Sequence, residues 1–440
     1  MKRVAFKTVG CRLNQAETAR IAAGFELAGY SVVEFGAPAD VCVIHTCTIT
    51  GRAETTCLRL ARGAKKDNPS TVVVLAGCAV EANREAILNN PAVDFAIGQK
   101  EKFDLPRILA ERLHGDSEAT AKDPTTSTGN LPAQAIAPLF STTRALVKVQ
   151  DGCDFCCSYC IVPQVRGTPE SRPMADIQRE VEMLARKGFK EIVITGANLA
   201  AYSHSGRNLV DVLVLLETLE GIERIRLSSI ESSTVQRAVV EFMAGSEKLC
   251  RYLHLPLQSG DDGILAAMGR RYTSAQYRKL VEFAARTMPF IGLGTDIIVG
   301  FPGETDQAFK NTCSLVMDLP FNNLHVFPYS IRPGTHAATL PDQLPRNIKK
   351  ERAAELIAIG NSKRRQFALE FLNRPVSALV ERLRTDGVAT GWTGEYLEAH
   401  LQMDGLGEND IVNFTPGAID GVILQNLRTD ALSTEEISTR

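Results

Sequence analysis

Short apolar runs alternate with stretches of helical spacing along most of this chain, and no other feature restricts the fold as much. Over residues 1–112 the runs are VAFKTVG (4–10), VCVIHT (41–46) and TVVVLAG (71–77), separated by helix-like segments such as 14–28 and 52–65. Strands joined by helical crossovers lie parallel, so the pattern predicts an α/β unit with a parallel sheet. Residues 113–142 are rich in Ser, Thr, Ala and Pro and read as a linker. The alternation resumes with ALVKVQ (145–150), EIVITG (191–196), RIRLSS (224–229), YLHLPLQ (252–258), LGTDIIVG (293–300) and LHVFPYS (324–330). Six strands with helices between them predict a partial β/α barrel over 143–371, closed by a basic helix at 345–370. Residues 372–440 hold short strand-like runs with Gly and Asp turns, which predict a small all-β barrel.

The chain has 440 residues and 11 cysteines. No apolar run approaches the ~18 residues of a membrane span, so no membrane partner is expected. The first residues, MKRVAFKTVG, lack the apolar stretch of an export signal, so a cytoplasmic location with reduced thiols is expected. Reduced thiols in this number turn attention from disulfides to metal or redox chemistry.

Cys11, Cys47 and Cys78 each follow an apolar strand and precede a helix-like stretch. Parallel strands end on one edge of the sheet, where ligand sites of open α/β sheets lie, so the three thiols are expected to converge. Together they suit a metal cluster with one open iron; separately, each is what a small buried strand-end residue looks like. Cys153, Cys157 and Cys160 form a C-x3-C-x2-C run directly after the first barrel strand. Three thiolates on one loop can hold a [4Fe–4S] cubane and leave one iron free for a chelating ligand. The competing reading adds Cys156 and pairs two adjoining C-x2-C units around a structural zinc, although eight residues leave little chain for two knuckles. Cys156 is otherwise expected to be a packing thiol, and Cys42, Cys57, Cys250 and Cys313 plain core or surface thiols.

The cysteine run after the first barrel strand resembles that of the radical S-adenosylmethionine enzymes. That resemblance implies a cluster on Cys153, Cys157 and Cys160 whose open iron binds S-adenosylmethionine. It also implies cofactor contacts from Gly196 and Asn198 in TGANL, Gln258 in LPLQSG, and Gly294, Asp296 and Gly300 in GTDIIVGFPGET. Over nearly its whole length the chain resembles the methylthiotransferases, which join a three-cysteine α/β domain, a radical barrel and a C-terminal TRAM β-barrel. The resemblance implies two [4Fe–4S] clusters, the second on Cys11, Cys47 and Cys78 as sulfur donor. It implies a second S-adenosylmethionine as methyl source, a one-electron donor such as a flavodoxin or ferredoxin, and a monomer. The motifs TVGCRLNQAET (8–18), HTCTITGRAE (45–54), RLSSIES (226–232) and HVFPYSIRPGT (325–335) are most similar to the branch acting on N6-threonylcarbamoyladenosine in tRNA. Other branches act on isopentenyladenosine in tRNA or on an aspartate of a ribosomal protein. A zinc-stabilised RNA-binding module without catalysis is the alternative from another class.

The net charge of −2 is unevenly placed. Residues 371–440 hold 5 Lys/Arg against 11 Asp/Glu, a net −6, and the remaining 44 Lys/Arg against 40 Asp/Glu leave +4. Phosphate binding needs cations, so the expected RNA contact lies on the body, first on the basic helix 345–370. Arg144, Arg166 and Arg172 flank the cluster loop and are candidates for phosphate or for the substrate's carboxylate. Phe155 and Tyr159 are candidates for base stacking, or for packing around the cluster.

Overall fold

The computed structural model describes residues 2–49, 51–113, 143–235 and 237–426, and within these not the side chains of Arg52 and Leu113. The expected linker therefore lies, from residue 114 on, outside the described residues. The first unit runs β1 (Arg3–Thr8), α1 (Arg12–Leu27), β2 (Ser31–Val33), β3 (Val41–Thr46), α2 (Gly51–Asp67), β4 (Val72–Gly77), α3 (Cys78–Leu88), β5 (Phe95–Ile97) and α4 (Leu105–Leu113). All five strands are parallel, in the order β2-β1-β3-β4-β5. Helices cover both faces, so β3 is buried at every position, as a central parallel strand should be. Alternate side chains serve two cores: Ala5, Cys42 and Ile44 on one face, Val4, Phe6, Val41 and Val43 on the other. The chain leaves β1 first towards β2 and then towards β3. The direction of strand addition thus reverses between β1 and β3, which opens a crevice at their C-terminal ends.

The second unit has the six strands expected of it: Arg144–Lys148, Glu191–Thr195, Arg224–Leu227, Tyr252–His254, Gly292–Val299 and Asn323–Pro328, here called the first to sixth barrel strands. They pair in parallel as two three-stranded sheets. A bridge between Ile225 and Leu249, and a hydrogen bond from the Ile230 amide to the His254 carbonyl (2.9 Å), join the two sheets. Residues such as Val147, Ile194, Leu227, Leu253 and Ile297 point outward into a large core shared with the helices. The alternate residues, among them Lys148, Glu191, Arg226, His254 and Asp296, face the inside.

The third unit is a six-stranded sheet in the order 411–414, 376–383, 389–393, 398–401, 423–426, 418–420 around one apolar cluster. Its turn 393–397 enters the N-terminal end of the barrel. Arg226 Nη2 donates to the Thr393 carbonyl (3.0 Å) and Asn322 Nδ2 to the Glu395 carbonyl (3.4 Å). A side chain at Gly292 would place its Cβ 2.2 Å from the Glu395 carbonyl oxygen, so glycine there admits the turn. Tyr396 stacks on Tyr252 at 4.7 Å, and Arg12 of α1 donates to its hydroxyl at 2.9 Å. The three units thus meet around one tyrosine.

The basic helix spans Arg346–Leu369. Several of its cations are used inside the protein. Arg352 is buried against Glu304 (2.6 Å) and Asp306 (2.7 Å), Lys349 donates to the Tyr329 carbonyl (3.1 Å) and Lys363 to the Met317 carbonyl (2.9 Å). Arg346, Lys350 and Arg365 remain exposed. The helix is therefore first a brace for the barrel, with only part of its charge turned outward.

Candidate metal centres and cofactor site

Cys11, Cys47 and Cys78 stand at the C-terminal edge of the first sheet, after β1, β3 and β4. Cys11 and Cys47 flank the crevice between β1 and β3. The two loops touch: a Cβ built on Gly10 would lie 2.6 Å from Cys47 Cβ, and Gly10 has φ of +119°. Only glycine meets both demands. Asn14, one turn into α1, ties the loops together. Its Nδ2 donates to the Val9 carbonyl (3.0 Å) and the Thr46 carbonyl (2.8 Å), and its Oδ1 lies 3.6 Å from Cys11 Sγ. Gln99 Nε2 donates to Cys78 Sγ at 2.8 Å. Cys47 and Cys78 are buried and Cys11 is exposed. Burial pushes the Cys78 thiol up to about 11 and raises Cys47 as well, while Arg166 opposes both shifts. A bound metal favours the thiolate and reverses such shifts.

Cys153, Cys157 and Cys160 lie on the loop that leaves the first barrel strand. The loop begins at Gly152, with φ of +69°, where a Cβ would sit 2.0 Å from the Thr168 carbonyl oxygen. It is held from beneath by 267–271: Ser158 donates to the Met268 carbonyl (2.9 Å) through its amide and to the Ala267 carbonyl (2.7 Å) through its hydroxyl. Arg270 Nη1 lies 3.2 Å from Cys157 Sγ, and Arg270 Nη2 pairs with Glu231. Burial pushes the Cys160 thiol up to about 12, against the pull of the Val162 amide and Arg270. Neither triad brings its three sulfurs within 4.8 Å of one another; among the described residues only His254, Asp296 and His325 form so tight a group. A single ion needs that closeness. A cubane, which gives each thiolate its own iron, does not. Cys156 is exposed beside the Asp154 carbonyl, so it is not the packing thiol the sequence suggested, nor does it close a four-thiol zinc site.

Gln150 links the cluster loop to the end of the second barrel strand. Its Nε2 donates to the Asp151 (2.7 Å) and Gly152 (2.8 Å) carbonyls, and its Oε1 accepts from the Asn198 amide (2.8 Å). This places Gly196 and Asn198 beside the cluster loop, where a Cβ at Gly196 would meet Gln150 Oε1 at 3.0 Å. Asn198 Nδ2 is buried without a protein partner, a donor available to a bound polar ligand. That unpaired donor beside a three-thiol loop fits S-adenosylmethionine on an open iron. Gln258 has a left-handed backbone (φ 69°) and pairs through it with Asp296 and Ile298.

The remaining expected cofactor residues have other occupations. A Cβ at Gly294 would fall 2.2 Å from Tyr252 Oη, and one at Gly300 would fall 2.3 Å from Lys349 Cγ. Protein neighbours thus account for both glycines without a flat base. Asp296 Oδ1 is shared by His254 Nε2 (2.8 Å) and His325 Nδ1 (3.1 Å). Arg144 pairs with Glu381, Arg172 with Glu180, and Arg166 with Glu17 and Asp151, so none of the three is an open phosphate or carboxylate contact. Phe155 is buried under Arg271, whose guanidinium lies 4.0 Å from the ring centre, and Tyr159 lies 3.4 Å from Arg270. Both serve the loop.

The two triads face each other across one short helix, α5 (Val162–Arg166), which follows Cys160. Ile161 and Val165 pack on Cys78. Arg166 reaches into the first unit, donating to Asn14 Oδ1 (2.7 Å) and to Glu17 (3.1 and 3.2 Å). Glu17 is fully buried and also pairs with Lys102 (2.7 Å) and Lys148 (2.6 Å). Arg332, from the loop after the sixth strand, donates to Thr48 (2.6 Å), next to Cys47. Sequence reasoning missed Gln150, Glu231, Arg270 and Glu17. Glu231 and Glu17 both lie within motifs already singled out, though neither motif says that its carboxylate is buried; Arg270 lies in none.

Residues 147–316 match the Radical SAM superfamily, and residues 3–98 match the Uncharacterized protein family UPF0004. The chain is 36% identical over 379 residues to the threonylcarbamoyladenosine tRNA methylthiotransferase MtaB of Aquifex aeolicus, covering 86% of this chain and 92% of that protein. It is 33% identical over 413 residues to the MtaB of Bacillus subtilis, covering 90% of each. A tRNA-2-methylthio-N(6)-dimethylallyladenosine synthase of Acetivibrio thermocellus is 32% identical over 438 residues, 97% of this chain and 88% of that one. Among solved structures, the radical S-adenosylmethionine methyltransferase TsrM from Kitasatospora setae shares the fold, with a TM-score of 0.58 and 15% identity over 77% of this chain and 75% of that one.

Proposed function

The chain belongs to the tRNA methylthiotransferases of the radical S-adenosylmethionine superfamily, and on that premise we propose that it methylthiolates C2 of N6-threonylcarbamoyladenosine next to the anticodon. As a member it is a transferase whose cofactors are [4Fe–4S] clusters and S-adenosylmethionine. When bound, these supply a carbon-centred radical, sulfur and a methyl group. The protein's own residues divide the work. Cys153, Cys157 and Cys160 hold the radical-generating cluster, and Arg270 and Glu231 steady their loop. Asn198 offers its free amide hydrogens to S-adenosylmethionine, with Gly196 keeping the approach open. Cys11, Cys47 and Cys78 hold the second cluster, and Arg166 and Asn14 fix that edge of the sheet against the barrel loop.

The observation that carries this reading is the meeting of the triads: Cys78 packs on the two residues, Ile161 and Val165, that follow the barrel's cluster loop. Two cluster sites so joined can act on one substrate atom. Identity to the threonylcarbamoyladenosine enzymes along most of the chain supports the choice of branch. The similar identity to a dimethylallyladenosine synthase makes that nucleoside the second reading. The C-terminal sheet is assigned as the TRAM domain, the protein acts as a cytoplasmic monomer, and a flavodoxin or ferredoxin supplies the electron. No helix among the described residues is long and apolar enough to cross a membrane. The test is nucleoside mass spectrometry of tRNA after incubation with the anaerobically reconstituted enzyme. The expected product is 2-methylthio-threonylcarbamoyladenosine. A methylthio mark on isopentenyladenosine or on a ribosomal protein, with threonylcarbamoyladenosine untouched, would refute the assignment.

A further inference from the structure

The fifth strand of the first sheet lies beside the fourth, and the turn that follows it closes on Cys78. Ile97 of β5 pairs with Ala76 of β4, two residues before that thiol. Residues 98–102 therefore continue along the edge on which the three cysteines stand. Two contacts bind this turn to α3, the helix that Cys78 begins. The Glu81 carboxylate accepts from the Gln99 backbone amide at 3.0 Å, and Arg84 pairs with Glu101 at 2.9 Å. A Cβ at Gly98 would lie 2.6 Å from Glu81 Oε2, so glycine at that position lets the carboxylate reach the turn.

The Gln99 side chain is oriented from both ends. Lys102 Nζ bonds its Oε1. An ammonium only donates, so the amide oxygen must face Lys102 and the amide nitrogen must face Cys78. Lys102 is buried and is itself fixed by Glu17 at 2.7 Å. Nε2 of Gln99 lies 2.8 Å from Cys78 Sγ. That sulfur belongs to a buried residue, so a protein donor stands where water would otherwise serve. A cation on the amide oxygen also polarises the N–H bonds and strengthens their donation. Cys11 is treated differently. Asn14 turns its oxygen to that sulfur, because its nitrogen is committed to the Val9 and Thr46 carbonyls.

We infer that Gln99 is a positioning residue of the second metal centre: Glu81 holds its backbone, Lys102 holds its side chain, and its hydrogen bond to the Cys78 thiolate raises the reduction potential of the cluster. A donor on a ligand sulfur stabilises the reduced state, which carries one more negative charge, over the oxidised one; hydrogen bonds to sulfur are among the factors that set cluster potentials. The inference rests on the reading of Cys11, Cys47 and Cys78 as ligands of one cluster, and it names the residue that tunes it.

The test is a reductive titration with titanium(III) citrate, followed by electron paramagnetic resonance, of the full reconstituted chain carrying Cys157→Ala. That background leaves the second cluster alone to be read, at about four irons per chain. Adding Gln99→Leu removes the donor and keeps much of the volume. At a fixed potential the ratio of reduced to oxidised cluster should fall about tenfold, a shift of about 59 mV to lower potential for a one-electron couple. Gln99→Glu keeps the length and the Lys102 contact but cannot donate to sulfur, and should shift the midpoint in the same direction. Iron content should match the parent in both. A midpoint unmoved in either iron-loaded variant overturns the role of Gln99 alone. Loss of all iron from the Cys157→Ala parent overturns the ligand reading and this inference together.

Discussion

Single residues set the surroundings of the two cysteine sets apart. The six cysteines at the two strand edges look alike in sequence, but their surroundings differ. Cys157 has Arg270 at 3.2 Å, within a loop that no other unit supplies. Cys47 sits against Gly10 at the edge of the first sheet. Replacing Cys157 with Ala should therefore abolish 5′-deoxyadenosine formation, and iron should fall from about eight to about four per chain. Replacing Cys47 with Ala should lower iron similarly but spare 5′-deoxyadenosine formation, while methylthiolated nucleoside disappears. Fully methylthiolated tRNA from the Cys47 variant would show that the roles are divided differently.

At the scale of elements, the turn 393–397 has more effect than its length suggests. It carries Tyr396 into the barrel end, where the ring meets Tyr252 at 4.7 Å, Trp392 at 4.9 Å and the Arg226 guanidinium at 5.0 Å. Removing the ring takes away the contact surface that these three neighbours share. Tyr396→Ala should cost about 3 kcal/mol in denaturant unfolding. Tyr396→Phe, which loses only the 2.9 Å contact from Arg12, should cost about 1 kcal/mol. Equal losses in the two variants would mean that the hydroxyl alone matters. The acidic surplus of the C-terminal segment also has a place here. Glu381 pairs with Arg144 (2.6 Å) and Asp410 with Lys190 (3.3 Å), so part of that charge faces the barrel rather than RNA.

The whole molecule is held in register by the charges around Glu17. Burial pushes this carboxyl up, but Lys102, Lys148, Arg166 and His45 pull it down further, and it ends well below its ordinary 4.5. Two of those cations, Lys148 and Arg166, come from the barrel. A carboxyl with a depressed folded value stabilises the docked state fully above 4.5, and that contribution is lost as the pH falls below 4.5. Thermal unfolding followed from pH 7 to well below 4.5 should show no contribution of Glu17 to the slope above 4.5 and a steep loss below it in the wild type. Glu17→Gln should start lower by about 3 kcal/mol, the cost of leaving buried cations unpaired, and fall less steeply in the acid limb. Parallel acid limbs in the two proteins would remove Glu17 from this role.

The strands and the two cysteine sets were legible in the sequence, because both depend on local order. A β-branched run is a strand wherever it packs, and parallel strands must end on one edge, so Cys11, Cys47 and Cys78 converge by topology alone. The loop motif at 153–160 is local too. The rest depended on which distant surfaces meet. Glu17 and Arg166 stand 149 positions apart, and Arg226 and Thr393 stand 167 apart. Nothing beside Glu17 in the sequence names Arg166 as its partner, and nothing beside Arg226 names the Thr393 carbonyl. Gly294 and Asp296 show the converse: their motif suggested a cofactor edge, and packing against Tyr252, His254 and His325 gave them other partners. Sequence by itself determined the elements and the strand ends at which the cysteines stand, since backbone propensity and residue type are properties of short segments. Tertiary structure alone decided which sites face each other and which charges are already matched, since burial and pairing depend on the whole chain at once.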